Sequence, residues 1–218
     1  DGPRLTASGT LSNLRSSLHP QSPGMLLEAH GTIDGVEVGQ LSKYWPRNVG
    51  RNPREWVTRN MTAGQMTAAE ADLRLRIPLS APGPTIVELL EGTLQGKAMT
   101  ASYLHPMPPV EGVDGTAHFT AQEFIADFGA GHVGKVTIKG GQLRILAIEQ
   151  PGERIEIDTE VDGKLRDIMT LLDHPRLGYG KKIGIDPADF SGEATTKLSI
   201  GFPSVHDVTL AVMTLNVE

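Results

Sequence analysis

Seven histidines are the residues of this sequence that most invite a search for metal ligands or acid–base groups. They stand at positions 19, 30, 105, 118, 132, 174 and 206, and no two form a His-x-His, His-x3-His or His-Glu-x-x-His pattern. His118 and His132 flank a predicted hairpin, so they are the one pair that could meet across it. The chain has no cysteine, which excludes thiol catalysis and Cys-ligated zinc. We expect no metal site and no cofactor.

Motifs for covalent catalysis and for phosphate binding are missing. The sequence contains neither Gly-x-Ser-x-Gly nor Gly-x4-Gly-Lys-Ser/Thr. Gly129, Gly131 and Gly134 match Gly-x-Gly-x-x-Gly, but residues 135–138, which follow them, are predicted to form a strand. A dinucleotide site needs a helix N-terminus there to bind the pyrophosphate. We therefore interpret these glycines as turn residues.

Acidic residues between 149 and 173 are the remaining candidates for catalysis. Glu156, Asp158 and Glu160 share one face of a predicted strand, and we expect them to be exposed because three like charges are costly to bury. A glycosidase would need two such acids in one cleft, yet aromatic residues, the usual sugar platforms, make up only 5% of the chain. A calcium loop of the Asp-x-Asp-x-Asp-Gly type is absent. We expect the protein not to be an enzyme.

Length and charge exclude further classes. The 218 residues carry 20 basic and 26 acidic side chains, a formal charge of −6, which argues against a nucleic-acid binder. No stretch approaches the roughly 20 apolar residues of a membrane-spanning helix. Within 43–76, seven basic residues stand against three acidic ones. That excess could meet phosphate or lipid head groups, although solvated arginines are the ordinary explanation. The sequence opens Asp1-Gly2-Pro3, without Met or a signal peptide, so we expect an internal piece of a longer protein.

The elements that would position any site are mostly strands. Alternating residues predict strands at 73–79, 136–139, 143–148, 155–161 and 198–202, with shorter ones at 24–33, 36–41, 86–90, 93–103, 115–120 and 123–128. Gly140-Gly141 is predicted as a hairpin turn, and Asp34-Gly35, Glu91-Gly92 and Asp114-Gly115 as further turns. Residues 208–217 are apolar on both faces, which predicts a strand covered on both faces, or covered on one and lining a groove on the other. The short spacing favours antiparallel pairing.

Two short helices are predicted near 53–62 and 163–173. The first has Asn52 as its cap and Pro53 at the first helical position. The second carries an apolar stripe at i, i+3, i+4 and i+7 from Leu165 and is expected to pack onto a sheet.

The predicted domain organisation is simple. Residues 1–24 are expected to be a flexible or extra N-terminal segment, and 25–218 a single β domain. Three prolines within 104–113 cannot sit in a central strand. That segment therefore leaves open a second arrangement, in which it joins two halves of the sheet.

Several short motifs follow one another in a fixed order from residue 44 onward. They are Tyr44-Trp45-Pro46, Pro53-Arg54-Glu55-Trp56-Val57, Asn60, Gly64, Pro78-Leu79, Tyr103-Leu104-His105-Pro106-Met107-Pro108-Pro109-Val110, Gly115, Val161-Asp162-Gly163-Lys164-Leu165, Leu171-Leu172-Asp173-His174-Pro175, and Gly192 with the strand 197–202 and Pro203. This ordered set resembles the central domain of YhdP-type, AsmA-like proteins, a family that includes AsmA and TamB. The resemblance covers roughly residues 25–218.

The resemblance implies a long, curved antiparallel sheet, as a groove or open half-barrel, whose concave face holds acyl chains. It implies a periplasmic segment of an inner-membrane-anchored protein of the Gram-negative envelope, similar to bridge-like lipid-transfer proteins. The implied role is movement of phospholipid between the inner and outer membranes, with no catalytic residues. The expected partners are phospholipid acyl chains, and no nucleic acid.

Aliphatic residues of the predicted strands are the groove candidates, since aliphatic side chains suit acyl chains better than flat rings or sugars. They are Leu73, Leu75, Ile77, Leu79, Val136, Ile138, Ile155, Ile157, Val161, Leu198, Ile200, Phe202, Leu210 and Val212. The same residues could instead form the closed core of a sandwich. In that case the protein would be a scaffolding β module of the cell envelope, with partners at exposed sheet edges.

Overall fold

The computed structural model of the chain describes residues 2–13, 24–45, 51–78, 84–103, 105–148, 150–175, 177, 184, 186–203 and 214–217. Across these residues the protein is mainly β, which confirms the predicted fold class: eleven strands form one antiparallel sheet, accompanied by three short helices. The strands are β1 (Arg4–Ser12), β2 (Met25–Glu37), β3 (Met61–Ile77), β4 (Ile86–Ala101), β5 (Val110–Thr120), β6 (Glu123–Phe128), β7 (Gly131–Val133), β8 (Val136–Leu146), β9 (Arg154–Lys164), β10 (Glu193–Pro203) and β11 (Thr214–Val217).

The strands follow each other across the sheet in chain order, so the sheet is a meander. β6 and β7 share one position, between β5 and β8. The first strand pairs with β2 over nine residues, which makes residues 4–12 part of the sheet. β4 and β5, which flank the proline-rich segment, pair with each other, so the sheet continues unbroken across 104–113.

Four predicted glycine turns are wrong. Gly35, Gly92, Gly115 and Gly140-Gly141 lie inside β2, β4, β5 and β8, strands of 11 to 16 residues, and the predicted strands on either side of Gly92 and of Gly140-Gly141 merge. Residues 38–41, predicted as strand, form the 3-10 turn and the start of α1 instead, and 110–113, predicted as part of a linker, belong to β5. Register shifts mark bulges between β3 and β4, between β4 and β5, and between β8 and β9. Bulges increase local twist and bend a strand, and they are consistent with a curved sheet.

Close packing explains two of these glycines better than turn formation does. A Cβ at Gly92 would collide with the Glu70 carbonyl oxygen and lie 2.5 Å from the ring of Phe119. A Cβ at Gly141 would lie 2.7 Å from the ring of Phe128. Both glycines therefore make room for an aromatic ring on a neighbouring strand, a known way of compensating for glycine in a sheet.

The two predicted helices are present and one more accompanies them. α2 (Arg51–Asn60) corresponds to the helix predicted near 53–62, and α3 (Leu165–Leu172) to the one near 163–173. α1 (Leu41–Tyr44), which was not predicted, follows a 3-10 turn at Val38–Gln40. Among the described residues, none of the helices has the length and apolar character that crossing a bilayer requires.

Buried side chains gather in two clusters, each beneath helices. Ile168 and Leu172 of α3 pack on Val136, Ile138 and Val161 of the sheet. At β2–β4, buried Val36, Val38 and Leu41 are packed against half-buried neighbours that include Val57 of α2 and Met61, Met66 and Met99 of the sheet. Burying an aliphatic side chain of this size contributes about 1.5–3 kcal/mol. We expect most of the fold's stability to come from these two clusters.

Candidate functional site

The pairing register places apolar residues on one face of the sheet from edge to edge. Residues that oppose each other across neighbouring strands form a row, and all members of a row lie on one face. One row crosses every strand position from β1 to β11 without a polar side chain. It consists of Leu5, Ile33, Ala69, Leu94, Ala117, Ala126, Leu143, Ile157, Ile200 and Leu215. We call the side that carries this row the apolar face.

The next row on the apolar face is also free of polar side chains. It consists of Ala7, Gly31, Ala71, Gly92, Phe119, Phe124, Ile145, Ile155 and Phe202. Small residues occupy this row from β1 to β4, and bulky ones occupy it from β5 to β10. The two rows together form a strip in which only apolar side chains would contact a ligand.

The opposite side, the polar face, carries the charges. Cross-strand ion pairs join His30 Nδ1 to Asp72 at 3.0 Å and Arg74 to Glu28 at 2.7 Å. Arg76 pairs with Glu88 in the same way. Each exposed pair contributes little to stability, about 0–1 kcal/mol. All three pairs lie on this side of the sheet, which identifies it as the face that meets water. A register slip of one residue would move their charges to the apolar face.

The apolar face has two different ends. At the covered end, α1–α2 and α3 lie over it, and Val36, Val136 and Ile168 are at most 2% exposed. At the other end, which we call the open end, Leu75 and Ile155 are half-buried, and no helix of the described part packs over them. The further members of the open end are Leu27, Phe119, Phe124, Ile145 and Phe202. An apolar strip left half-buried in a single sheet layer is a typical site for a ligand or partner.

Eleven of the fourteen groove candidates lie within the described residues, and all eleven are on the apolar face. Val136, Ile138 and Val161 lie at the covered end, and Leu198 packs against their cluster. Those beyond it are Leu73, Leu75, Ile77, Ile155, Ile157, Ile200 and Phe202. Leu79, Leu210 and Val212 lie outside the described residues. Direct neighbours among the candidates are Ile138 with Val161, Ile155 with Phe202, and Ile157 with Ile200.

The candidates form two groups rather than one. Leu73, Leu75 and Ile77 lie on β3, and three strand positions separate them from β8–β10. The residues of β4–β6 that bridge this gap were missed from the sequence, as were two further residues of β8: Leu90, Leu94, Phe119, Phe124 and Ala126, and Leu143 and Ile145. The false turns at Gly92 and at Gly140-Gly141 interrupted the alternation there. Treating 86–101 and 136–146 as two continuous strands would have placed Leu90, Leu94, Leu143 and Ile145 on this face.

The acidic residues that could have suggested an enzyme lie on the polar face. Arg144 bonds to Asp158 at 3.0 Å and to Glu156 at 3.2 Å, and Ser199 Oγ donates to Asp158 at 2.6 Å. Both carboxylates therefore share one guanidinium on an open surface instead of flanking a cleft. The Arg144 Nε is buried and has no hydrogen-bond partner among the described residues.

Other features of the described part offer no alternative site. Nowhere in it do three or more His, Asp or Glu side chains come together as metal ligands would. His132 lies 3.0 Å from Glu111 on the polar face, while His118 opposes Thr93 and Ile125, so these two histidines do not face each other across a strand pair. A shallow depression of about 530 Å³ on the polar face is lined mainly by polar side chains and glycines, among them Gln95 and Asp127.

Tyr103 lies two residues beyond the end of β4. Burial raises the pKa of its phenol from 10.0 to about 12, because the phenolate loses hydration there. This makes Tyr103 a reporter of packing beyond the end of β4, since its ionisation depends on how much water reaches it.

The outer edges of the sheet are the remaining surface of interest. Among the described strands, none pairs with the outer edge of β1 or of β11. Eight of the nine β1 residues are exposed, with Arg4 as the single charge. Such an edge can accept another strand.

Comparison with known proteins identified no relative of this chain. The chain matches none of the protein-family models, curated proteins or solved structures with which it was compared. A function must therefore be inferred from the arrangement of the chain's own residues.

Proposed function

We propose that this chain is a segment of an AsmA-like, YhdP-type envelope protein that holds or channels phospholipid acyl chains along the apolar face of its sheet. The head groups stay in water, and transport requires no catalysis. In this proposal the segment works in the periplasm, as part of an inner-membrane-anchored protein that moves phospholipid between the inner and outer membranes.

One observation carries the proposal: the row from Leu5 to Leu215 crosses all strand positions with apolar side chains only. A sheet needs one apolar face to fold, but it normally covers that face with a second layer. Among the described residues, the helices lie over one end of the face and not over the other. Acyl chains would supply the missing cover at the open end, at a gain of about 25 cal/mol per Å² of apolar surface removed from water.

The dimensions suit acyl chains. Ten strand positions about 4.8 Å apart make the strip roughly 43 Å long, measured along the sheet. One leaflet of a bilayer holds its acyl chains in about 15 Å, half of the hydrocarbon core. The strip could therefore seat more than one chain in succession, as a channel would require.

The ordered motifs from Tyr44 to Pro203 support the same family, and with it the periplasmic location and the membrane anchor. Two observations on this chain favour an acyl-chain ligand rather than a polar ligand. Aliphatic residues predominate in the strip, and the charged pairs are confined to the other face.

Native mass spectrometry with lipid extraction tests the proposal. The purified protein is expected to carry phospholipid or to take it up from vesicles. Ile157→Asp and Ile200→Asp each place a carboxylate in the middle of the strip and are expected to lower lipid occupancy at least tenfold, because the charge would have to be desolvated against acyl chains. Asn216→Asp is the matched control, since it adds the same charge on the polar face of β11.

Two results would contradict the proposal. One is a lipid-free protein that takes up no phospholipid from vesicles while circular dichroism shows it folded. The other is equal lipid occupancy in Ile157→Asp, Asn216→Asp and the unmodified chain.

A second candidate function, a scaffolding β module, is favoured by the exposed edge of β1. It predicts that an envelope partner adds a strand to this edge and that added lipid has no effect. Ser8→Lys would block such pairing, since lysine on an edge strand discourages strand addition. Partner capture lost in Ser8→Lys, from a protein that binds no lipid, would support the scaffold over the groove.

A further inference from the structure

The helices α1 and α2 form a small cap at one corner of the sheet, which we call the α1–α2 cap. Arg54 of α2 joins the two helices: its Nε donates to the Trp45 carbonyl at 3.0 Å and a terminal nitrogen donates to the Ser42 carbonyl at 3.1 Å. These carbonyls lie at the C-terminal end of α1, where a cation is favoured. The Ser102 amide donates to the Asn60 carbonyl at 2.8 Å and ties the end of α2 to the residue after β4. The cap is therefore a fixed part of the fold.

Two large aromatic side chains of this cap are partly exposed. Trp56 is 40% exposed and Tyr44 is 38% exposed, although Val57, the next residue of α2, packs into the cluster beneath. A partly exposed indole presents an apolar ring with a polar N–H edge, and such rings are enriched where one side of the site is apolar and the other is wet.

Charge indicates the chemistry of a partner for this cap. The described charged side chains of the cap are Lys43, Arg54 and Arg59 against Glu55, a net charge of +2, whereas the whole chain carries −6. The rest of the chain therefore carries −8. Lys43 and Arg59 are exposed, and Arg59 lies one helical turn from Trp56 on the exposed side of α2. A positive, aromatic corner on a negative protein complements an anionic surface.

We propose that the α1–α2 cap docks this protein on an anionic phospholipid membrane, with Tyr44 and Trp56 in the head-group layer. Trp and Tyr are the residues that settle at this layer, and amphipathic helices with basic residues and Trp lie in it. Nucleic acid fits less well, because the rest of the chain is strongly acidic and would be repelled. Docking here brings the membrane to the β2–β4 end of the apolar face. The docking inference does not depend on lipid occupying that face.

Vesicle binding with tryptophan fluorescence tests the proposal directly. The chain has two tryptophans, half-buried Trp45 and exposed Trp56, so a response from Trp56 can be isolated. Vesicles containing phosphatidylglycerol are expected to bind the protein and to shift its emission to the blue, whereas pure phosphatidylcholine vesicles are not. Brominated acyl chains are expected to quench the shifted emission. Raising the salt from about 0.05 M to about 0.5 M is expected to weaken binding, since screening shortens the range of the charges.

Variants separate the cap from the rest of the surface. The double variant Lys43→Glu/Arg59→Glu is expected to lower the partition onto anionic vesicles at least tenfold, given the contribution of each basic residue near such a membrane. Lys139→Glu/Lys197→Glu changes the charge equally at exposed positions of β8 and β10 and is expected to bind as the unmodified chain does. Trp56→Phe is expected to abolish the blue shift and most of the quenching. Thermal unfolding checks that each variant is folded.

The opposite results would overturn the proposal. These are no binding to anionic vesicles at low salt, equal loss in the cap variant and in the Lys139/Lys197 control, or an unchanged blue shift in Trp56→Phe. Ile157→Asp provides a further check, because it disrupts the strip but leaves the cap intact. It is expected to bind vesicles normally, and a complete loss of vesicle binding in this variant would assign the membrane contact to the strip instead of the cap.

Discussion

The covered end and the open end of the apolar face are built from the same residue types but have different surroundings. Within β9 alone, Val161 is 5% exposed beneath α3, whereas Ile157 and Ile155, four and six residues earlier on the same face, are half-buried, and no helix of the described residues lies over them. The alternation of the strand is identical at both ends. The helix above the strand makes the difference, so one strand can supply stability at one end and a binding surface at the other.

This difference assigns two roles to one face. At the covered end the protein fills the space above the sheet with its own side chains, so a substitution there should mainly change the free energy of unfolding. At the open end a ligand would fill that space, and a substitution should mainly change binding. The predictions below separate the two effects.

The largest expected effect is at the covered end. Ile168→Ala removes a side chain that is 2% exposed at the centre of the α3 cluster. We expect it to lower the free energy of unfolding by about 2–5 kcal/mol, from lost burial and the cavity left behind. Urea denaturation followed by circular dichroism measures this. Ile155→Ala, the same change at the open end, should cost only about 1 kcal/mol because that side chain is already half in water. Equal losses would remove the distinction between the ends.

A second prediction concerns how the open end keeps its shape where no described helix covers it. Gly92→Ala would push a methyl group into the Glu70 carbonyl and the ring of Phe119. We expect a loss of about 1–3 kcal/mol, the usual cost of overpacking. Gly39→Ala is the control, since no heavy atom lies within 4 Å of its added Cβ. A neutral Gly92→Ala would mean that the ring of Phe119 does not rest on this glycine.

Polar-face pairs should matter less than either end of the apolar face. Arg144→Met removes the guanidinium shared by Glu156 and Asp158, whose side chains are 25% and 49% exposed. Because water screens these charges, we expect a loss of less than about 1 kcal/mol and no change in lipid occupancy. A loss as large as that of Ile168→Ala would show that the polar face, and not the covered end, dominates stability.

The smallest expected effect is the titration of Tyr103. Its pKa is about 12 in the folded protein, against about 10 for an unfolded tyrosine. The folded state therefore keeps a proton that the unfolded state loses between these values, so this group's contribution is fully present below pH 10 and is lost as pH rises toward 12. Absorbance at alkaline pH should show a step near pH 12 that is missing in Tyr103→Phe. If Tyr103→Phe instead lacks a step near pH 10 that the unmodified protein shows, Tyr103 is solvated.

The fold class and both helices near 53–62 and 163–173 could be predicted because they depend on local patterns. Residues 155–161 alternate strictly, and Leu165 to Leu172 follow a helical period. The strand ends could not be predicted, because glycines that admit a neighbouring ring, such as Gly92 and Gly141, look like turn glycines in a sequence. That distinction depends on Phe119 and Phe128, which lie on other strands.

The composition of the candidate site was only partly predictable for a related reason. Large aliphatic residues such as Ile157 and Ile200 identify a face by themselves. Ala69, Ala117 and Ala126 join the same row only through the register, since an alanine gives no signal of which side it faces. Nor does alternation indicate where a helix will cover the face, because that depends on how the chain returns after β2 and β9.

The most direct test of the central claim is photo-crosslinking with a phospholipid that carries a diazirine in its acyl chain. After irradiation, proteolysis and mass spectrometry locate the modified residues. The account predicts adducts concentrated at the open end, on Leu75, Ile155 and Phe202 and their neighbours. Residues buried under the helices, such as Val136 and Ile168, and polar-face residues such as Glu160 should remain unmodified. Adducts spread evenly over both faces, or none on a folded protein that has been incubated with the probe, would contradict the claim that the open end holds acyl chains.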